Sequence, residues 1–381
     1  MFTRPEYRNA GFEGTITNTF REGVRVAGRL YKFLAFSNSS LKEGRFLFFH
    51  EPTDGSATVE SIRIWMGDFS HIRCPARYAA RMAQALSSTI PTIDMEGNQV
   101  AMHCPDVKRN GYTFSDGVGT VSPDLADAIW DSLRAGRTHV AVHQTKEREA
   151  ATPSAFQIRF GGAKGMISVD LNLHGRRMRL RKSMIKFEAP NCTILEIAGH
   201  ALSWRNAYLN RQIILILEDL GVPAKVFLDI QRDCIRELQL MQTDQHKVLD
   251  MAGNIGHFGN FVRMIATVGV VNWMQNEFIQ ASLDHVRLYF LKEIKYRARM
   301  KIPDGAWTLF GVLDETGTLK EGEVFVQLFD PDSPSDNKIL KGPVMVFRSP
   351  CLHPGDCQPA TAVEVPALHH LRNVVVFSQN G

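Results

Sequence analysis

Gln157 to Glu188 reads QIRFGGAKGMISVDLNLHGRRMRLRKSMIKFE. It carries eight basic residues (Arg159, Lys164, Arg176, Arg177, Arg179, Arg181, Lys182, Lys186) against Asp170 and Glu188, a net of +6. The whole chain, with 44 basic and 40 acidic residues, is only +4. A local positive field inside a near-neutral protein points to a polyanion partner. Apolar and β-branched runs separated by glycine make the same stretch strand-rich.

Working outward, 111–200 reads as strands: His139–His143, Phe156–Phe160, Met166–Leu173, Met178–Leu180 and Thr193–Ile197. His174-Gly175 reads as a tight hairpin turn before the arginine-rich strand. Upstream, 1–110 mixes strands (Tyr31–Ser37, Arg45–His50) with a helix over Arg77–Ser88, whose apolar face holds Tyr78, Met82, Ala85 and Leu86. Downstream, 201–302 is helical. Leu209, Ile213, Leu217 and Leu220 follow helical spacing, and further helices are predicted over Ala224–Gln242, Gly259–Gln275 and Ala281–Lys301. Residues 303–381 return to strands, at Trp307–Leu313, Glu323–Leu328, Pro343–Arg348 and Val374–Ser378. Two β-rich blocks therefore flank a helical block.

At 381 residues, 44% hydrophobic and 22% charged, the chain is ordinary globular material of several domains. Six cysteines are too sparse for a disulfide framework, so a reducing, intracellular compartment is expected, cytoplasmic or nuclear and perinuclear. No secretory leader is visible, and the longest apolar stretch, Met264–Met274, falls short of the ~20 residues a membrane span needs. No membrane partner is expected.

Four constellations could carry chemistry. Gly161-Gly162-Ala163-Lys164-Gly165 sits between two strands, where glycines let backbone N–H groups approach an anion and the lysine adds a charge. It is not a Walker A loop, because no Ser or Thr follows the lysine. Taken on the loop alone, a plain glycine turn with an exposed lysine is the favoured reading. Arg181–Phe187 reads as a strand with Lys182, Met184 and Lys186 on one face and Arg181, Ser183 and Ile185 on the other. A solvated edge explains Arg176–Arg179 but not Lys186, which stands between Ile185 and Phe187 and suits a phosphate contact.

Phe114–Ser122 (FSDGVGTVS) is a turn at the start of a strand, or a turn holding Asp116 to orient a basic residue or bind a ribose hydroxyl. Arg348–Cys357 (RSPCLHPGDC) tempts a zinc reading, but its Cys and His spacing matches no paired-ligand pattern. A rigid loop presenting Arg348 to an anion is the better reading. Aromatics such as Trp273, Phe278, Tyr289 and Phe290 read as core or groove wall. No carboxylate pair fit for two metal ions and no Ser–His–Asp arrangement is found, so no metal ligand is assigned.

At these constellations the chain resembles the eukaryotic cellular RNA-dependent RNA polymerases of RNA silencing. The segments that carry the resemblance run in order over nearly the whole chain. They include YKFLAFSNSSLKEGRFLFF (31–49), IRIWMGDF (62–69), AARMAQALSSTI (79–90), FSDGVGTVS (114–122), QIRFGGAKGMISVD (157–170), RKSMIKFE (181–188), LNRQIILILEDLGVP (209–223), RSPCLHPGDCQ (348–358) and PALHHLRNVVVFSQNG (366–381).

The resemblance implies a mixed α and β fold with two double-psi β-barrels joined by a helical connector and neck region. The boundaries would be an N-terminal region over 1–110, a first barrel over 111–200, the helical connector over 201–302, and an incomplete second barrel over 303–381. It implies catalytic roles near nucleotide and RNA phosphates for Arg159, Lys164, Lys186 and Arg348. It implies nucleotide or RNA contacts for Asp116, Gly161, Gly162, Arg181 and Lys182. The reaction implied is nucleotidyl transfer from NTPs on a single-stranded RNA template, giving double-stranded RNA, with RNA-silencing proteins as further partners.

Family members follow the VVVFSQNG-like segment with a DxDGD loop whose aspartates bind Mg²⁺. No DxDGD occurs in this sequence, which implies that the Mg²⁺ ligands lie beyond Gly381 and that residues 1–381 alone do not polymerise RNA. A non-catalytic RNA-binding truncation is the competing reading. A DNA-directed polymerase subunit is a second rival, disfavoured because both barrels begin in one chain.

Overall fold

The computed structural model describes residues 10–37, 40, 44–135, 152–270, 272–303, 305–330 and 337–380. The strand expected at His139–His143 lies outside them. Two compact units emerge: one drawn from Met1–Ser203, Phe310–Lys341 and Ala362–Gly381, the other from Trp204–Leu309 and Gly342–Thr361.

The first unit opens with a three-stranded antiparallel sheet of β1 (Val24–Val26), β2 (Arg29–Ala35) and β3 (Leu47–Phe49). Its centre is a seven-stranded mixed sheet drawn from β4 (Ile90–Asp94), β5 (Val100–Cys104), β8 (Val118–Val121), β9 (Ala155–Phe160), β10 (Ala163–Val169), β11 (Met178–Arg181) and β12 (Ile194–His200). The spatial order is β4-β12-β9-β10-β8-β11-β5. Between β5 and β8 lies a small hairpin of β6 (Lys108–Arg109) and β7 (Tyr112–Thr113).

β9 and β10 are joined by a two-residue turn, Gly161-Gly162, with φ of +51° and +85°. Positive φ at both positions is the hairpin turn whose twist matches the strands, and it favours glycine. The hairpin expected at His174-Gly175 is not there. β8 lies between β10 and β11, parallel to the first and antiparallel to the second. The link from β10 to β11 therefore crosses over β8, anchored by the buried Leu173. A glycine turn between two apolar runs fixes a reversal, but not which strand the chain pairs with next.

The sheet's core closes against the helix Pro123–Ala135. Leu125, Ile129 and Leu133, with Ala126 and Trp130, form one apolar stripe and are all buried. They pack with Phe156, Ile158, Ile167, Met178, Leu180 and Leu195 from the sheet. A second core joins Ala155 and Met166 to Val312, Phe325, Val374 and Val376. Those come from β15 (Phe310–Leu313), β16 (Glu323–Leu328) and β20 (Val374–Phe377), where β20 pairs parallel with β15 and antiparallel with β16.

The second unit is mostly helical: Arg211–Asp219, Ala224–Leu240, Gln245–Met251, Gly256–Val268 and Glu277–Arg297. Asn210 caps the first, its side-chain oxygen accepting the Ile213 N–H at 2.9 Å. The helix expected over Gly259–Gln275 stops earlier, at Gly269 in the left-handed region, and resumes only as a short turn at Trp273–Gln275. Trp273 is buried and Phe290 partly so, whereas Phe278 and Tyr289 are mostly exposed. No helix among the described residues is long and apolar enough to cross a membrane.

Candidate functional site

The Gly161-Gly162 turn sets the site. Hairpin register places Lys164 directly opposite Arg159, and β12 places Glu196 on Arg159's other side. Lys164, Arg159 and Glu196 thus form one row across three neighbouring strands. Lys186 joins from the segment after β11, where its backbone N–H donates to the Gly162 carbonyl at 3.2 Å. Arg81 joins from the helix Pro75–Ala85. Lys164 feels the positive charge of Arg159, Arg81 and Lys186 together.

Charge accounts for the electrostatics of this cluster. The Lys164 ammonium is held below its ordinary value, first by lost hydration and then by the three neighbouring cations. Arg159 is also pushed down by burial, partly offset by Glu196. Its Nε is buried with no hydrogen-bond partner among the described residues, and one terminal nitrogen donates to the Ile158 carbonyl at 2.7 Å. The Lys186 ammonium donates to the Ser183 carbonyl. Glu196 is occupied in part by the Thr89 hydroxyl, which donates to it at 2.8 Å. Like charges opposite one another on a sheet destabilise it, so a row led by Lys164 and Arg159 is arranged for an external anion.

The glycines serve the site by packing. A Cβ at Gly162 would lie 1.9 Å from the Phe187 carbonyl oxygen. The absent side chain lets the Lys186–Ala189 segment lie on the turn, where the Gly161 and Gly162 carbonyls accept from the Ala189 and Lys186 N–H groups. Gly161 and Gly162 thus position Lys186; the carbonyls that face that segment are acceptors, which an anion cradle would not use. A cleft of about 370 Å³ flanks Phe160 and Gly161. Its walls, among them Met95, Val100, Ile185 and Cys192, are largely apolar and include none of the four cations.

The stretch after β11 departs from the expected strand. The chain leaves β11 at Arg181 and makes a 3-10 turn over Lys182–Met184, so the alternation from Arg181 to Phe187 is broken. Met184 is fully buried and Lys182 is exposed on the turn. A serine-carboxylate network causes the break. The Ser183 hydroxyl donates to Asp106 at 2.6 Å and accepts the Gly117 N–H at 3.0 Å, while the Ser183 N–H donates to Asp106 at 3.0 Å. The Ser115 hydroxyl also donates to Asp106 at 2.9 Å.

Arg181 is used internally. Its guanidinium makes a two-pronged pair with Glu315, at 3.0 and 2.8 Å, and donates to the Val118 carbonyl at 2.9 Å. These bonds use three of its five N–H donors inside the protein. Asp116 is exposed beside Gly117, and the hydrogen-bonded, half-buried carboxylate of this region is Asp106. Arg176, Arg177 and Arg179 are exposed, with Arg179 paired to Asp170 at 3.6 Å.

Arg81, Gln84, Asp106 and Ser183 were not legible as site residues. For the helix the signal was a glutamine at a buried position three residues after an arginine. Gln84 is buried, whereas Ala85, placed on the apolar face by spacing, is exposed. In the second unit, Arg348 is exposed just past β18 (Gly342–Phe347). The following loop is held by Asp356, which accepts the Leu352 and His353 N–H groups at 2.9 and 3.0 Å. The Cys351 and Cys357 sulfurs lie 3.8 Å apart and both residues are buried. No group of three or more His, Cys, Asp or Glu among the described residues is placed to hold a metal.

A family model for RNA dependent RNA polymerase matches residues 2–381. The chain belongs to the RNA-dependent RNA polymerase family. RNA-dependent RNA polymerase 1 of Arabidopsis thaliana is 37% identical over 96% of this chain and 32% of its own length. RNA-dependent RNA polymerase 6 of the same plant is 34% identical over 96% and 30%. RNA-dependent RNA polymerase 1 of Schizosaccharomyces pombe is 32% identical over 98% and 31%. The chain therefore spans about a third of these relatives. The RNA dependent RNA polymerase QDE-1 from Thielavia terrestris shares the fold, with a TM-score of 0.66 over 94% of this chain and 43% of that one, at 22% identity. The cation cluster of this family member thus lies on a mixed α and β scaffold like that polymerase's.

Proposed function

We propose that this chain supplies a phosphate-binding wall for RNA-directed RNA synthesis, in which single-stranded RNA is copied from NTPs into double-stranded RNA. The single observation that carries the reading is the row in which Lys164 faces Arg159, with Lys186 added and Glu196 as its carboxylate. Preorganised cations of this kind neutralise triphosphate charge and the charge that develops on a departing pyrophosphate. Arg159 and Lys186 are half-buried and less screened by water, while Lys164 is exposed and open to a ligand.

In this reading Arg159, Lys164 and Lys186 contact phosphate, and Gly161, Gly162 and Ser183 hold Lys186 in place. Arg348 is a further phosphate contact on the family resemblance alone. The seven-stranded sheet and the β15-β20-β16 sheet are proposed as parts of two double-psi barrels. RNA silencing is the proposed setting. Family membership carries an expectation of Mg²⁺, which would activate the attacking hydroxyl when bound. The described residues offer no carboxylate cluster to hold it, and no step is derived through it.

The test is incorporation of labelled nucleotide on a single-stranded template by the natural polypeptide that carries these residues. Lys164→Ala and Lys186→Ala should each lower incorporation by about tenfold or more, the scale of one charge-assisted contact. Undiminished incorporation by both would overturn the proposal. RNA binding by a wild type that incorporates nothing under any condition, lost in both variants, would favour a non-catalytic binder.

A further inference from the structure

We infer that Arg81 is a fourth phosphate-binding residue of this site, delivered by a helix outside the sheet. The inference rests on the phosphate reading above and extends it to an element that reading did not need.

Gln84 fixes the helix Pro75–Ala85 to the lysine loop. Its side-chain amide donates to the Gly162 carbonyl at 3.2 Å, two residues before Lys164. The side chain is 8% exposed, and its Oε1 is buried without a partner among the described residues. Since a backbone carbonyl needs a donor, the NH₂ must face Gly162, and Oε1 is left facing an unfilled position. That acceptor calls for a donor such as water, which a phosphate oxygen cannot be, so Gln84 serves the site by docking the helix on the lysine loop.

Arg81 precedes Gln84 by one helical turn, so both lie on the helix face that docks at the loop. Arg81 is half-buried and makes no ion pair or hydrogen bond with a described residue. An arginine held at a protein surface without a carboxylate, within electrostatic reach of Lys164, gains nothing from that neighbour. Its planar fork suits two phosphate oxygens at once. The ligand chemistry is therefore phosphate, from either an NTP or an RNA backbone.

The experiment compares wild type, Arg81→Gln and Lys164→Gln for binding of ATP and of a single-stranded oligouridine of about 20 nucleotides across a salt series. Should the ligand be triphosphate, Arg81→Gln weakens ATP by about tenfold or more. Should it be backbone, the logarithmic salt slope for RNA falls by about 0.7. Either result supports the inference. Unchanged ATP affinity and RNA slope in Arg81→Gln, with either lost in Lys164→Gln, overturns it and leaves the phosphate site standing. If neither variant changes either ligand, the phosphate reading falls as well. A second measurement needs no variant: arginine-directed phenylglyoxal labelling of wild type, read by mass spectrometry. Protection of Arg81 by ATP or RNA is expected. Full labelling of Arg81 under saturating ATP or RNA sinks the inference.

Discussion

Lys164 stands directly opposite Arg159 across the β9–β10 hairpin, two cations in a position where opposite charges would be favourable. The arrangement has a consequence for stability. The Lys164 ammonium is held below its ordinary value, so the unfolded chain binds the proton more readily than the folded one. Stability therefore rises as pH rises through the folded value toward 10.5, and the penalty is fully present at neutral pH. Lys164→Met should raise stability at pH 7 by about 0.2–1 kcal/mol, the size of a cross-strand pair term. Its anion binding should fall at the same time. Urea denaturation at pH 7 checks it, and a less stable Lys164→Met would contradict the account.

Ser183 and Asp106 give a prediction of opposite sign. Burial pushes the Asp106 carboxyl upward, but hydrogen bonds from Ser183 and Ser115, with the Arg181 charge, outweigh it and hold it below 3.8. A lowered carboxylate stabilises the fold above its unfolded value, and that contribution is lost as pH falls from about 3.8 through the folded value. Asp106→Asn should cost about 1–3 kcal/mol at pH 7, because an amide cannot accept from all three donors it replaces. Its stability should also fall less steeply than wild type as pH drops below about 4. Parallel pH profiles for the two proteins would show that Asp106 titrates without consequence.

The sequence was informative where one local pattern decided one local structure. Ile213 and Leu217 follow the helical spacing read in the sequence and lie on the helix Arg211–Asp219 with Ile213 buried, whereas the helix Pro123–Ala135 falls in a stretch that reads as strands. Of the positive stretch, Arg159, Lys164 and Lys186 do come together, because glycine turns and strand register are short-range devices, whereas Arg176 to Lys182 do not join them. What was not legible depended on contacts far apart in the chain. Asp106 and Ser183 are 77 residues apart and Arg181 and Glu315 are 134 apart. No periodicity announces such pairs. Alternation from Arg181 to Phe187 failed for that reason: Asp106 and Gly117 turn Ser183 inward and end the strand. The crossing of β8 between β10 and β11 was hidden likewise, since parallel pairing leaves no turn signature.

Gly162 offers a steric test of how Lys186 is placed. Its φ is +85°, and an added Cβ would meet the Phe187 carbonyl oxygen, which cannot swing aside as a side chain tip would. Gly162→Ala should therefore cost about 1–3 kcal/mol through backbone strain alone, and more where the segment must shift. Phosphate affinity should fall in the folded fraction, because the Lys186 N–H is anchored on this residue's carbonyl. Denaturation together with ATP titration checks both parts. A variant that folds normally and binds ATP at wild-type strength would show that Lys186 is not held by this turn.

Arg181 separates stability from binding. Its guanidinium is 11% exposed and gives its donors to Glu315 and to the Val118 carbonyl. Removing one partner of a mostly buried pair leaves the other charge uncompensated and typically costs about 3–5 kcal/mol. Arg181→Met should destabilise the chain on that scale. Glu315→Gln should cost less, because its amide oxygen still accepts one guanidinium bond. Below the denaturation midpoint, the affinity of Arg181→Met for ATP should match wild type, since both terminal nitrogens of Arg181 are engaged inside the protein. The comparison that matters is with Lys164→Met, predicted above to gain stability and lose affinity. If Arg181→Met instead lost ATP affinity while keeping its melting temperature, Arg181 would be a phosphate contact after all, and the pair with Glu315 only its resting position.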